Sequence, residues 1–186
     1  MIMILLCGAS CATRPKASPY GPVYVTDRSK YTLLPPSDIE APLDMPQQIR
    51  GRYGIQEFVM DAWALADERG IDLTLLNSFG AGMGELRFSE GELSFSSTLL
   101  PPLVKPEYIV ADFQFCFYRI DALIPALKAC GLQLVAEQRL TVDEGCSEIR
   151  TISEGKKIII EIEKTSTAVR YRNHLRDYAY ILGGVF

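Results

Sequence analysis

The chain has 186 residues, 48% of them hydrophobic and 23% charged, which suits one domain able to bury a core without metal or disulfide support. Its net charge of −4 and pI near 5.1 speak against a nucleic-acid partner, which needs a basic face. Its cysteines form no C-x-x-C pair, so zinc-ribbon and thioredoxin readings lose their main support.

In chain order, Met1 to Leu6 is an unbroken apolar run, and Gly8, Ala9 and Ser10 place small residues directly before Cys11. This is the shape of a secretory signal and its cleavage site. The cysteine after Gly-Ala-Ser resembles the bacterial lipobox, in which that residue is lipidated and becomes the first of the mature protein. Residues 1–10 are therefore expected to be a signal segment that looks truncated, and Cys11 the lipidated residue. Pro15, Pro19 and Pro22 among small polar residues make 11–30 a tether that stands the domain off a membrane. The remainder, 31–186, is expected to fold as one domain.

Tyr31 to Pro36 reads as a short extended entry stopped by two prolines, and Ser37 to Pro46 as irregular. From Gln48 the pattern is β. Phe58, Met60, Ala62, Ala64 and Ala66 alternate as one buried face of a long strand over Ile55 to Ala66. Short strands follow around Ile71–Leu75, Leu86–Phe88 and Leu93–Phe95, separated by turns at close spacing, which makes a meander of four strands. Gly80-Ala-Gly-Met-Gly84 is not a phosphate loop, because no Lys-Ser/Thr follows and it leads into a strand; a bend or bulge is the expectation.

Pro106 and Glu107 then suit a helix start. Ile109, Val110, Phe113 and Phe117 recur at helical spacing, with Asp112 on another face. A second helix is expected from about Ile120 to Cys130, stopped by Gly131, with Pro125 in its first turn or so. Strands resume at Leu132, Leu134 and Ala136. Asp143 to Gly145 turns into a strand around Ile149 and Ile152, and a further strand has Ile158, Ile160 and Ile162 facing one way. The last strands centre on Val169–Arg172 and Tyr178–Leu182. A strand over Leu132–Thr141 would hold Cys130 and Cys146 ~33 Å apart, so free thiols are expected, with Cys116–Cys130 the remaining pairing. The fold class is α+β: one antiparallel sheet, with two short helices between its β blocks packed on one face.

Four stretches carry a resemblance. They are Leu33-Leu-Pro-Pro36 with Gln48 downstream; Phe58 to Ala66 leading to the Gly-rich bend and Leu86-x-Phe88; Ala111-Asp-Phe-Gln-Phe115 running into Leu123 and Leu127; and Val169-Arg-Tyr-Arg-Asn173 followed by Tyr178-x-Tyr-x-Leu182. Together they resemble the uncharacterised bacterial lipoproteins that accompany aryl-polyene biosynthesis clusters. Where that family tends to have Trp-Pro this chain has Tyr118-Arg119, and its usual glycine before the last tyrosine motif is Asp177. Members look similar to the outer-membrane lipoprotein acceptor LolB and its soluble partner LolA. The resemblance implies a sheet curled into an unclosed half-barrel, lidded by helices over an apolar cavity. With Ala12 after the cysteine, it also implies sorting to the outer membrane, facing the periplasm.

Such a cavity would take an acyl or polyene chain against Phe58, Met60, Leu73, Leu75, Leu86, Phe88, Phe113 and Phe117, which would otherwise be ordinary core. Met60 and Met83 are adaptable side chains for varied ligands. Enzyme chemistry has little to stand on. His174 is the single histidine, set among Arg170, Arg172 and Arg176; no G-x-S-x-G occurs; and Asp61 and Asp67 read as outward charges. The Arg170–Arg176 cluster offers a surface for anionic headgroups or a partner's acidic patch. The expectation is a non-enzymatic lipoprotein without cofactor. Its partners would be the membrane through the N-terminal lipid, an apolar lipid or acyl ligand, and a periplasmic carrier protein, but no nucleic acid. The alternative is a ligand-free lipoprotein that recruits other proteins to the membrane.

Overall fold

The computed structural model describes residues 22–77, 79–98, 105–141 and 145–184. The expected signal segment, Cys11 and the start of the tether lie outside them, as does most of the Asp143–Gly145 turn. The described chain begins with a small hairpin, β1 (Val23–Tyr24) and β2 (Lys30–Tyr31), then a 3-10 turn at Pro36–Asp38. The end of the expected tether is thus folded: Val23, Val25, Thr26 and Ser29 are all buried.

A meander follows: β3 (Leu43–Tyr53), β4 (Gln56–Asp67), β5 (Gly70–Leu76), β6 (Gly82–Ser89) and β7 (Glu92–Ser97). Helices α1 (Pro106–Phe117) and α2 (Ile120–Ala129) carry the chain across to β8 (Gln133–Thr141). It returns through β9 (Gly145–Glu154), β10 (Lys157–Lys164), β11 (Ala168–Asn173) and β12 (Tyr178–Gly183). β12 pairs with β3, so the two blocks fuse into one ten-stranded, wholly antiparallel sheet that curls without closing, in the order β7-β6-β5-β4-β3-β12-β11-β10-β9-β8. Helix α1 packs towards the β7 edge and α2 on the β8 edge, so the helices span the inner face between the two rims.

The alternating rows explain the layering. Ala62, Ala64 and Ala66 of β4 point inward beside Ile71, Leu86, Phe88 and Leu93, while Val59, Trp63 and Leu65 face out. The 3-10 turn Pro36–Asp38 sits against β4 and β5, and Phe113 and Phe117 of α1 are buried in the same core cluster as Ala66. The glycine run is a bulge, as expected: the register of β5 on β6 shifts between Leu75 and Leu76, opposite Gly84 and Gly82. Gly84 has no space for a side chain, since an added Cβ would lie 2.9 Å from Ser97 Cβ and from the Ser96 carbonyl oxygen.

Three local expectations are corrected. Leu43 to Pro46 is strand, not irregular: Pro46 pairs with Trp63, and β12 flanks β3 only from Gln48 onward. The proline's missing N–H therefore falls beside an unpaired stretch, where a sheet tolerates it. Secondly, Ile158 does not face inward with Ile160 and Ile162. A register shift between Ile158 and Ile160 turns Ile158 out, 43% exposed, and buries Ile159 beside Ile160. Thirdly, Pro125 is the sixth residue of α2, beyond its first turn, and the helix runs through it.

Helix α2 ends where Gly131 takes φ +83°. The Leu132 N–H bonds to the Leu127 carbonyl and that of Gly131 to Lys128, the paired bonds that close a helix with a left-handed glycine. The thiols of Cys116, Cys130 and Cys146 are free.

Candidate functional site

The inner face of β4 is apolar from Phe58 to Ala66, but the helices do not cover all of it. Ala62, Ala64 and Ala66 are at most 3% exposed, Met60 is half-buried and Phe58 is 37% exposed. The same opening runs onto the neighbouring strand β3. Ile49 opposite Met60 is half-buried, and Tyr53 near the hairpin tip is 63% exposed. The result is an apolar mouth at the end of the sheet where the β3–β4 and β5–β6 hairpins turn.

Phe58 is held there by Gly51, its cross-strand partner. A Cβ on Gly51 would lie 2.5 Å from the tip of the Phe58 ring, so the ring rests where a side chain would otherwise stand. Aromatic side chains packed over a strand glycine recover the contact the glycine lacks. On its other side Gly51 pairs with Tyr180.

Tyr180 starts a tyrosine stack on β11 and β12. Its ring lies 4.7 Å from that of Tyr171 at 2° between planes, and Tyr178 lies 5.7 Å from Tyr171 at 13°. Helix α1 sets Asp112 against the stack. The carboxylate accepts hydrogen bonds from Tyr171 (2.6 Å) and Tyr178 (2.7 Å). Asp112, expected on another face of the helix, is thus the polar tie between helix and sheet. Desolvation raises its pKa to about 7 against the lowering effect of the two hydroxyls and of Arg176. Burial likewise pushes Cys116, one turn further along α1, up to about 12.

The sequence-derived cavity residues divide into two groups. Phe58 and Met60 line the open mouth, while Leu73, opposite the buried Ala64, is half-buried against the core. Leu75, Leu86, Phe88, Phe113 and Phe117 are buried at 8% exposure or less, and all of them but Leu75 belong to the core cluster with the helices. Met83 sits half-buried in the glycine bulge. Gly51, Tyr171, Tyr178, Tyr180 and Asp112 belong to the site but were not singled out as site residues from sequence. The signal was present only in part, as the Tyr178-x-Tyr180 alternation.

The remaining candidates stand apart. His174 lies on the exposed β11–β12 turn and pairs with Glu161. Asp61 accepts from Gln48, and Asp67 pairs with Arg69 at the β4–β5 turn. Arg176 reaches back to the Tyr24 carbonyl and the ring of Tyr108. Two hairpin tips beside the mouth carry apolar side chains into solvent: Ile55 is 100% exposed and Phe79 93%. Among the described residues no helix is long and apolar enough to cross a membrane.

No curated protein matches the chain. Residues 44–182, which run from β3 through β12 and hold the mouth, the tyrosine stack and both helices, match the family described as protein of unknown function DUF3261, and the chain belongs to that family.

Proposed function

We propose that this chain is a lipid-anchored protein of the outer membrane, facing the periplasm, that accepts an apolar, acyl-bearing molecule at the open mouth of its sheet and acts in its transport or assembly. The observation that carries the reading is the graded cover of β4. Its inward row stays apolar while exposure climbs from 3% at Ala62 to 37% at Phe58. An apolar surface of this kind beside a packed core is a place for a ligand. From Phe58 to Ala62 it runs ~13 Å along the strand. Each methylene buried there contributes about 0.8 kcal/mol, enough to hold a chain and to release it to a better acceptor.

The anchor rests on Gly8 to Cys11, and the resemblance read in the sequence to LolB-type lipoproteins is the ground for a direction from a periplasmic carrier to the membrane. An aryl-polyene lipid or a lipoprotein acyl chain fits the chemistry. No covalent step is invoked.

The test is lipid extraction and mass spectrometry of the protein purified from its own membranes, with displacement of a fluorescent fatty acid as the quantitative arm. Bound acyl material that is lost in Met60→Glu supports the reading. A protein free of lipid, with no fatty-acid binding, overturns it. That outcome would favour a ligand-free lipoprotein recruiting partners, to which the filled space around Phe88, Phe113 and Phe117 also points.

A further inference from the structure

On the opposite, outward face of the sheet lies a groove of 740 Å³ lined by Arg50, Arg52, Arg139, Arg170 and Arg172, with Ala179 and Ile181 in its floor. The strand registers fix its centre. Arg52 and Arg172 both pair with Ala179, and Arg50 and Arg170 both pair with Ile181. Four arginines therefore occupy the corners of a rectangle, ~6.7 Å along the strands and ~9.6 Å across them, with β12 running down the middle. Ala179 carries only a methyl group there, so the centre is open.

The charges around this cradle are incompletely answered. Arg50 bonds to the neutral Gln48. Arg172 pairs across the ladder with Glu161, but that carboxylate is engaged by His174, and Arg172 has no ion-pair partner among the described residues. Arg52 meets Asp177 in an exposed pair of the kind that yields readily to a better anion, and Arg170 meets Glu163 in a part-buried one. A chain of net charge −4 thus gathers five arginines against Glu57, Glu161 and Glu163 in one groove.

We propose that this cradle binds a phosphate group, as free phosphate or as the phosphomonoester of a lipid headgroup. A carboxylate offers two oxygens in one plane and is satisfied by a single guanidinium fork. The arginines here approach from both sides of β12, and a tetrahedral dianion presents oxygens to both. The arginine side chains leave the face opposite the apolar mouth, while Gly51 and Phe58, which belong to that mouth, also border the groove.

The test titrates the full chain with pyrophosphate and, separately, with phosphatidylcholine vesicles with and without phosphatidic acid. The readouts are amide shifts of β3, β11 and β12 and vesicle co-sedimentation. Binding of pyrophosphate identifies a free phosphate site; binding only to phosphatidic acid vesicles identifies a headgroup site; either supports the proposal. Arg50→Gln with Arg172→Gln should weaken binding about tenfold or more. Ala179→Phe, which fills the floor and leaves every arginine in place, should weaken it comparably. Binding to neither probe, citrate or polyglutamate competing as well as pyrophosphate, or undiminished binding in Ala179→Phe would overturn it.

Discussion

The Asp112 carboxylate of α1 accepts a 2.6 Å hydrogen bond from the hydroxyl of Tyr171 on β11. It joins the helix between the blocks to the sheet's second block, at the border of the open mouth. Burial holds this carboxyl near a pKa of about 7, above its ordinary 3.8. An acid raised on folding binds its proton more tightly in the native state. Its stabilising contribution is complete below the unfolded value and is lost as pH rises through the folded one.

Stability should therefore fall between about pH 4 and about pH 7 and level off above. Asp112→Asn keeps an acceptor for one tyrosine and a donor for the other while removing the charge. Urea denaturation across this range should show the slope in the parent and its loss in the variant. A parent curve flat from pH 4 to 7 contradicts the assignment.

Gly51 is the seat of the Phe58 ring. Gly51→Ala sets a methyl group 2.5 Å from the ring tip and 3.0 Å from the Ala179 carbonyl oxygen. Overpacking of this kind costs about 1–3 kcal/mol, and the partly open mouth lets the ring swing outward, which favours the lower end. The cost should shrink when Phe58→Ala is combined with Gly51→Ala, a coupling that a double-mutant cycle in urea measures. Additive effects would show that ring and glycine do not touch in solution.

Periodicity made the sheet and helices legible because it reports which face is apolar. The Ala62–Ala66 row, the Phe113–Phe117 helix face and the glycine bulge all follow from it. It misled at Leu43–Pro46, where the proline reads as a breaker unless the edge it occupies is known to be unpaired. It misled at Ile158, because a bulge changes the parity of a strand without changing its composition. The open mouth was half legible: Phe58 and Met60 carry the alternation, but nothing in β4 says where the helices stop covering it. Asp112 and Arg150 were missed because a buried charge is defined by partners 59 and 35 residues away.

Arg150 is 1% exposed in its side chain and reaches across the inner face to the end of α1. It donates to the carbonyls of Phe115 (3.1 Å) and Tyr118 (2.8 Å), which the helix terminus leaves without partners. Glu148 at 2.7 Å and Glu40 at 3.0 Å balance its charge. Arg150→Met fills the volume but orphans both carbonyls, so a loss of about 3 kcal/mol is expected. Arg150→Lys keeps the charge without the fork and should recover only part of it. Chemical denaturation of the two variants decides this. Equal stability of parent and methionine variant would mean that the helix end is capped by other means.

Ile55 and Phe79 stand on neighbouring hairpin tips beside the apolar mouth, with no core contact to lose. Replacing both by serine should leave stability within about 0.5 kcal/mol. If the chain passes an acyl ligand between a carrier and a membrane, these side chains are the first to meet either surface. Ile55→Ser with Phe79→Ser should then slow delivery of a fluorescent fatty acid to vesicles, while equilibrium binding at Phe58 and Met60 stays intact. Stopped-flow transfer and fatty-acid displacement, measured on the same preparation, separate the two steps. Unchanged transfer would confine the function to the mouth and leave the tips without a part in it.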